Sequence, residues 1–198
     1  MKTYITSLLF TCTLSLWAQD KAIIFSDLEI DGPVKIELIQ SDEYKVEVLE
    51  EASLVRWEIN GNSLVIMTKE LEGYDTPLVR IHAQSIKRLH LMEQAILEAK
   101  GVFDIRRMYI TLSKQSIADL AIDTEQLDVN LKRQCILTLS GAADQFSINA
   151  DHQSILQAKE LECATMDITA DNQSVLTINQ ANAKVKSDLS GYSVLTKD

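Results

Sequence analysis

Two stretches decide the fold: Leu131-Lys-Arg-Gln-Cys-Ile-Leu-Thr-Leu139 and Ala150-Asp-His-Gln-Ser-Ile-Leu-Gln-Ala158. Laid one over the other, 19 residues apart, they match in kind at almost every place. Working outward, the same frame recurs around Gln94, Gln115, Gln134, Gln153 and Gln173, at spacings of 21, 19, 19 and 20 residues. Tyr192 takes the sixth place, 19 residues further on.

The columns of this repeat alternate. Three places before the glutamine stand Leu91, Leu112, Leu131, Ala150, Ala170 and Leu189; five before stand Leu89, Ile110, Val129, Ile148, Ile168 and Ser187. Between them the residues are polar, as in His90, Thr111, Asn130, Asn149, Thr169 and Asp188. A period of two is the mark of a strand with one buried face. Three places after the glutamine come Leu97, Ala118, Leu137, Leu156, Leu176 and Leu195, so a second strand follows and the glutamine marks a corner. No i, i+3, i+4 pattern persists, which excludes helical repeats. An antiparallel sandwich would alternate too, but gives no reason for one residue type at one corner of every unit. Repeats of about 20 residues holding short strands define a solenoid, whose coils bury a shared core only by stacking. The expectation over residues 84–196 is therefore an all-β, single-stranded parallel β-helix. Its stacked glutamines can form an amide ladder.

Outside the array, Met1-Lys2, the apolar run Ile5 to Trp17 and the small Ala18 read as a secretory signal peptide over residues 1–18. Thr11 before Cys12 disfavours a lipoprotein signal, and the run is too short for a transmembrane helix. Residues 19–198 are expected to form one domain of an exported protein, in the periplasm, at the surface or outside a Gram-negative cell. The whole chain carries 19 Lys+Arg against 29 Asp+Glu, a formal net charge of −10. That balance disfavours nucleic acid and anionic surfaces as partners. Cys135 stands in a column of small residues one place after the glutamine, and Cys163 falls elsewhere in its coil. The two should point to different walls and stay free.

Residues 20–83 are rich in strand signals but do not keep the period. Val34, Ile36 and Leu38 alternate with Lys35 and Glu37; Tyr44, Val46 and Val48 alternate with Lys45 and Glu47. Asn60-Gly61-Asn62 is a tight-turn signal before Leu64-Val65-Ile66. This β-rich region is expected to supply wider, irregular first coils that cap the core.

Three stretches carry a family resemblance: Phe25-Ser-Asp-Leu-Glu-Ile-Asp-Gly-Pro-Val-Lys-Ile-Glu-Leu-Ile-Gln-Ser-Asp42, Asn60-Gly-Asn-Ser-Leu-Val-Ile66 and Leu78-Val-Arg-Ile-His-Ala-Gln-Ser-Ile-Lys-Arg-Leu89. Over residues 22–196 the chain resembles the putative autotransporter adhesin head GIN domain family, found in exported proteins of Bacteroidetes-type bacteria. Ser190-Gly191-Tyr192-Ser193 keeps most of that family's Ser-Gly corner, while Lys114-Gln115-Ser116, His152-Gln153-Ser154 and Asn172-Gln173-Ser174 lack the glycine. The resemblance implies a right-handed β-solenoid and supplies no catalytic residues, metal ligands or cofactor.

Few residues are placed to carry chemistry. His82, His90 and His152 are the only histidines, and no serine or cysteine has a nucleophile context. Asp151 and Asp171 fall two places before their glutamines and should stack on adjacent coils. They are either a solvated, mildly repulsive pair, a weak Ca²⁺ site, or the paired acids of a polysaccharide-cleaving solenoid. Trp57, Tyr74 and Tyr109 are too scattered for a sugar platform. The expectation is a non-enzymatic solenoid with no cofactor, an adhesin or assembly module; the alternative is a carbohydrate-active enzyme.

One further column has a regularity of its own. Two places after the glutamine stand Ile96, Ile117, Ile136, Ile155, Val175 and Val194. Strict alternation points them outward, as an apolar stripe about 24 Å long at the usual strand spacing. A bulge at the corner would turn them inward. Outward, they are a candidate interaction surface for a protein or cell-surface partner, or for self-association.

Overall fold

The computed structural model describes residues 24–69 and 75–197. The expected signal peptide and Tyr74 lie outside the described residues. Among those described there are fifteen strands, one 3₁₀ turn at Ala52–Leu54 and no α-helix. In chain order they are β1 (Asp27–Asp31), β2 (Lys35–Gln40), β3 (Lys45–Glu50), β4 (Val55–Asn60), β5 (Ser63–Thr68), β6 (Leu78–Ala83), β7 (Arg88–Met92), β8 (Ile96–Asp104), β9 (Arg107–Ser113), β10 (Ile117–Lys132), β11 (Ile136–Asp151), β12 (Ile155–Ala170), β13 (Val175–Ile178), β14 (Lys184–Leu189) and β15 (Val194–Lys197).

The long strands β10, β11 and β12 pair in parallel with the coils on either side, so the repeat is a stack of coils: a parallel β-solenoid. Leu137 lies beside Leu156 and Ile148 beside Ile168, each in its expected column. The inward columns are fully packed: Leu97, Ala118, Leu137, Leu156 and Leu176 have essentially no solvent contact. Burying each of these leucines contributes about 1.5–3 kcal/mol.

The glutamine corner is built from two successive left-handed residues. Lys114 and Gln115 have φ of 55° and 67°, His152 and Gln153 of 53° and 60°, Asn172 and Gln173 of 52° and 65°. Such a pair reverses the chain in the sense of a primed turn, and it is costly for residues other than glycine. Three interactions hold it. The amide N–H of Gln134 donates to His152 O on the next coil at 2.8 Å, and its equivalents do the same. The hydroxyls of Ser116, Ser154 and Ser174 donate back across the turn to Ser113 O, Asp151 O and Asp171 O at 2.8, 2.7 and 2.8 Å. The side-chain amides form the ladder: Gln94 Nε2 to Gln115 Oε1 at 3.4 Å, Gln115 to Gln134 at 3.3 Å, Gln134 to Gln153 at 3.0 Å, and Gln153 to Gln173 at 2.9 Å.

The uneven spacing of the glutamines has a local cause. Nineteen residues is the plain coil. Between Glu98 and Val102, β8 carries two residues more than β10 carries between their partners Asp119 and Ala121. Between Gln157 and Glu160, β12 carries one more than β11 does between Thr138 and Ser140. These bulges absorb the extra length and leave the corner and the inward columns in register. At the bend opposite the glutamine corner Gly141 has φ +99°, and a Cβ there would stand 2.0 Å from Ile122 O, so no other residue fits.

The N-terminal region forms the expected wider, irregular, β-rich cap, but its coils do not stack in chain order. β1 lies between β5 and β7, and β2 between β6 and β8, all in parallel. The first coil of the chain is thus the second in the stack, and the β5–β6 coil lies outside it. β4 pairs with β5 and β3 with β6, both antiparallel, and these two strands form the outer edge at this end. They cover the β5–β6 coil, and their reversed direction ends the parallel stack there. The Phe25 and Tyr44 rings, 5.2 Å apart and edge to face, tie the start of β3 to the core.

Candidate functional site

The stripe lies on the outer face. The αL pair occupies the corner without disturbing the alternation that follows it. The small residue after each glutamine turns in, and the β-branched residue after that turns out. Ile96 and Ile117 are 37% exposed, Val175 40% and Val194 52%, while Ile136 and Ile155 are half-buried between their neighbours. The register puts all six in one unbroken row: Ile96 beside Ile117, then Ile136, Ile155, Val175 and Val194. Lys35 interrupts the row beyond Ile96, with Leu78 on its far side.

The outward column next to the stripe is graded in charge. In stacking order it reads Glu37, Glu98, Asp119, Thr138, Gln157 and Thr177, acidic at one end and neutral at the other. Arg80 (2.8 Å) and Lys100 (3.4 Å) neutralise Glu37, and the Arg80 hydrogen bond holds its carboxyl below the usual range.

The stacked aspartates serve the turn. The backbone N–H of His152 donates to Asp151 Oδ1 at 2.8 Å, and that of Asn172 to Asp171 Oδ1 at 2.7 Å. The Asn172 side-chain amide bridges the two, donating to Asp151 Oδ1 at 2.8 Å and Asp171 Oδ2 at 3.3 Å. His152 Nδ1 lies 2.6 Å from Asp151 Oδ2. The Asn172 bond, then His152, lower the Asp151 pKa. A general acid for glycoside cleavage requires the opposite shift. The expected repulsive pair is therefore a bridged one.

The remaining candidates are accounted for. His82 lies 3.4 Å from Glu47 on the cap. His90 is half-buried on the outer face, in register with Glu29 and Thr111. Cys135 is buried in the serine column, where its Sγ donates to Lys132 O at 3.1 Å. Cys163 is buried against the opposite bend, and desolvation pushes its thiol up to about 12. Arg107 stacks on Tyr109 at 5.2 Å. Among the described residues, no three His, Cys, Asp or Glu side chains converge as metal ligands. Nor is any helix among them long and apolar enough to cross a membrane.

The corner itself holds a groove that the columns alone did not single out. Gln134, His152, Gln153, Asn172, Gln173 and Tyr192 line it, and Tyr192 is 92% exposed. The signal was present as Tyr192 in the place of a sixth glutamine, but its exposure follows from the turn geometry.

Fold and surface together define a β-solenoid built to present flat, regular outer faces. The chain belongs to the family described as "Putative auto-transporter adhesin, head GIN domain", whose model matches residues 24–196. Solved structures share the fold at low identity. A putative adhesin from Bacteroides fragilis matches with a TM-score of 0.77 at 14% identity, over 89% of this chain and 93% of that one. A putative adhesin from Parabacteroides distasonis gives 0.65 at 13%, over 89% and 93%. A putative lipid binding protein from the same species gives 0.61 at 13%, over 90% and 94%. No curated protein matches the chain.

Proposed function

We propose that this chain is an exported, non-catalytic module of the bacterial cell envelope that acts by adhesion or assembly. Its contact surface is the Ile/Val stripe, and the occupant is a second copy of the chain. The carrying observation is the unbroken outward row from Ile96 to Val194. Exposed, contiguous apolar rows are uncommon on a monomer and mark interfaces. The graded column beside the row favours self-pairing. With the two solenoid axes antiparallel, Ile96 faces Val194 of the other copy and Ile136 faces Ile155. The acidic Glu98 and Asp119 then lie over the neutral Thr196 and Thr177 instead of over each other. Two-fold pairing of this kind is the commonest route to a homodimer.

The family's adhesin description and the leader-like start support export, with residues 1–18 removed and 19–198 as the working domain. Intact mass of the protein from its native host should begin at Gln19. The use of Asp151 and Asp171 as turn acceptors weighs against the carbohydrate-cleaving alternative. Sedimentation of the mature chain tests the interface: the wild type should self-associate, and Ile136→Lys with Ile155→Lys should give a folded monomer. A monomeric wild type at high micromolar concentration, or a double variant that no longer folds, would remove the stripe as the contact surface.

A further inference from the structure

The groove along the glutamine corner has a chemistry of its own. In the ladder each amide spends one N–H on the next rung and one oxygen lone pair on the rung before. A primary amide has two N–H groups and two lone pairs. Every inner rung therefore still offers one donor and one acceptor, side by side and facing out. At the last rung the Gln173 amide has no sixth glutamine to donate to, because Tyr192 stands there with its ring in solvent. Arg133, His152 and Asn172 flank the same groove. None of the six stripe residues lines it.

A hydroxyl group is both donor and acceptor, so it satisfies a paired donor and acceptor that a simple ion cannot. An exposed aromatic ring adds an apolar platform with a polar rim. The rungs repeat at about 4.8 Å, whereas an extended peptide presents matching groups on one side only about every 6.8 Å. We propose that the glutamine corner between Gln134 and Tyr192 binds a neutral glycan chain. One sugar ring stacks on Tyr192, and hydroxyls of this and neighbouring sugars bond the free N–H and oxygen of Gln173, Gln153 and Gln134. This site goes beyond the stripe proposed above and stands or falls apart from it.

Calorimetric titration of the mature chain with cellohexaose, chitohexaose, maltohexaose and mannohexaose tests it. At least one should bind saturably. Tyr192→Ala should weaken that binding at least tenfold, Gln173→Leu should weaken it too, and Tyr192→Trp should retain it. Tyr192 is solvent-exposed, so thermal melting of Tyr192→Ala should match the wild type and exclude loss of fold as the cause. The proposal is overturned if no hexasaccharide binds at millimolar concentration, or if binding ignores Tyr192→Ala and Gln173→Leu. It is equally overturned if the corner takes an extended Ser/Thr-rich peptide and none of the glycans.

Discussion

The side-chain amide of Gln153 donates to that of Gln173 at 2.9 Å, joining two left-handed residues that lie 20 apart in sequence. Each ladder position thus carries a local cost, its φ, and a non-local compensation, one rung at the ends of the ladder and two within it. Gln134 has φ of 64° and bonds to both Gln115 and Gln153. Gln134→Ala keeps the cost and loses both rungs, so it should destabilise by about 1–2 kcal/mol, with exposed bonds counted at the low end. Gln134→Gly relieves the backbone and should cost less. Urea unfolding of the two variants checks this; equal losses would mean that φ contributes nothing.

The inward columns should dominate stability. Leu137 and Leu156 are in register and fully buried. Either changed to Ala should cost about 2–5 kcal/mol. Thr138, on the outer face between Leu137 and Leu139, should tolerate Ala within about 0.5 kcal/mol. Similar losses from both kinds of variant in denaturant would contradict the register.

Cys135 stands in for serine. Its Sγ makes the same bond to the residue three before as the hydroxyls of Ser116, Ser154 and Ser174. Cys135→Ser should fold with stability within about 1 kcal/mol of the wild type, and Cys135→Val, which cannot donate, should lose more. Both thiols have pKa values raised by burial, Cys163 to about 12. An unfolded thiol titrates near 8.5. Above that pH the unfolded chain loses protons that the folded chain keeps, so stability should fall as pH rises from there towards 12. Thiol labelling at pH 8 should be slow in the native protein and fast in urea.

Asp151 works in the other direction. The hydrogen bonds from Asn172 and His152 lower its pKa, so its contribution is present above the unfolded carboxyl value near 3.9 and is lost as pH falls through the folded value. Asp151→Ala should melt below the wild type at neutral pH, and the gap should close in acid. A gap independent of pH would show that the carboxylate charge plays no part.

The residues that were readable from sequence are those whose environment is set by parity and period. Leu137, Leu156 and the Ile/Val row take their sides from alternation along one strand. The glutamine corner was readable because one residue type recurs at it. The order of the first coils was not, because Ile36 and Val79 alternate in the same way whichever strand each pairs with. Inserting β1 and β2 inside the β5–β6 coil is a choice of non-local partner, and no local pattern records it. The groove at Tyr192 escaped for a related reason: a column shows which residues stack, but not what the turn leaves open between them. Asp151 and Asp171 were placed correctly on adjacent coils, yet their bridging by Asn172 depends on a side chain from the neighbouring column.

Cross-linking across the stripe tests the central claim most directly. Facing sheets stand about 10 Å apart, too far for a direct disulfide, so a short bis-maleimide is the suitable reagent. Antiparallel pairing places Ile96 of one copy over Val194 of the other, and each about 24 Å from its own counterpart. Ile96→Cys combined with Val194→Cys should therefore give a covalent dimer, while either substitution alone should give almost none. No dimer from the double variant, or equal yields from the single ones, would contradict the account.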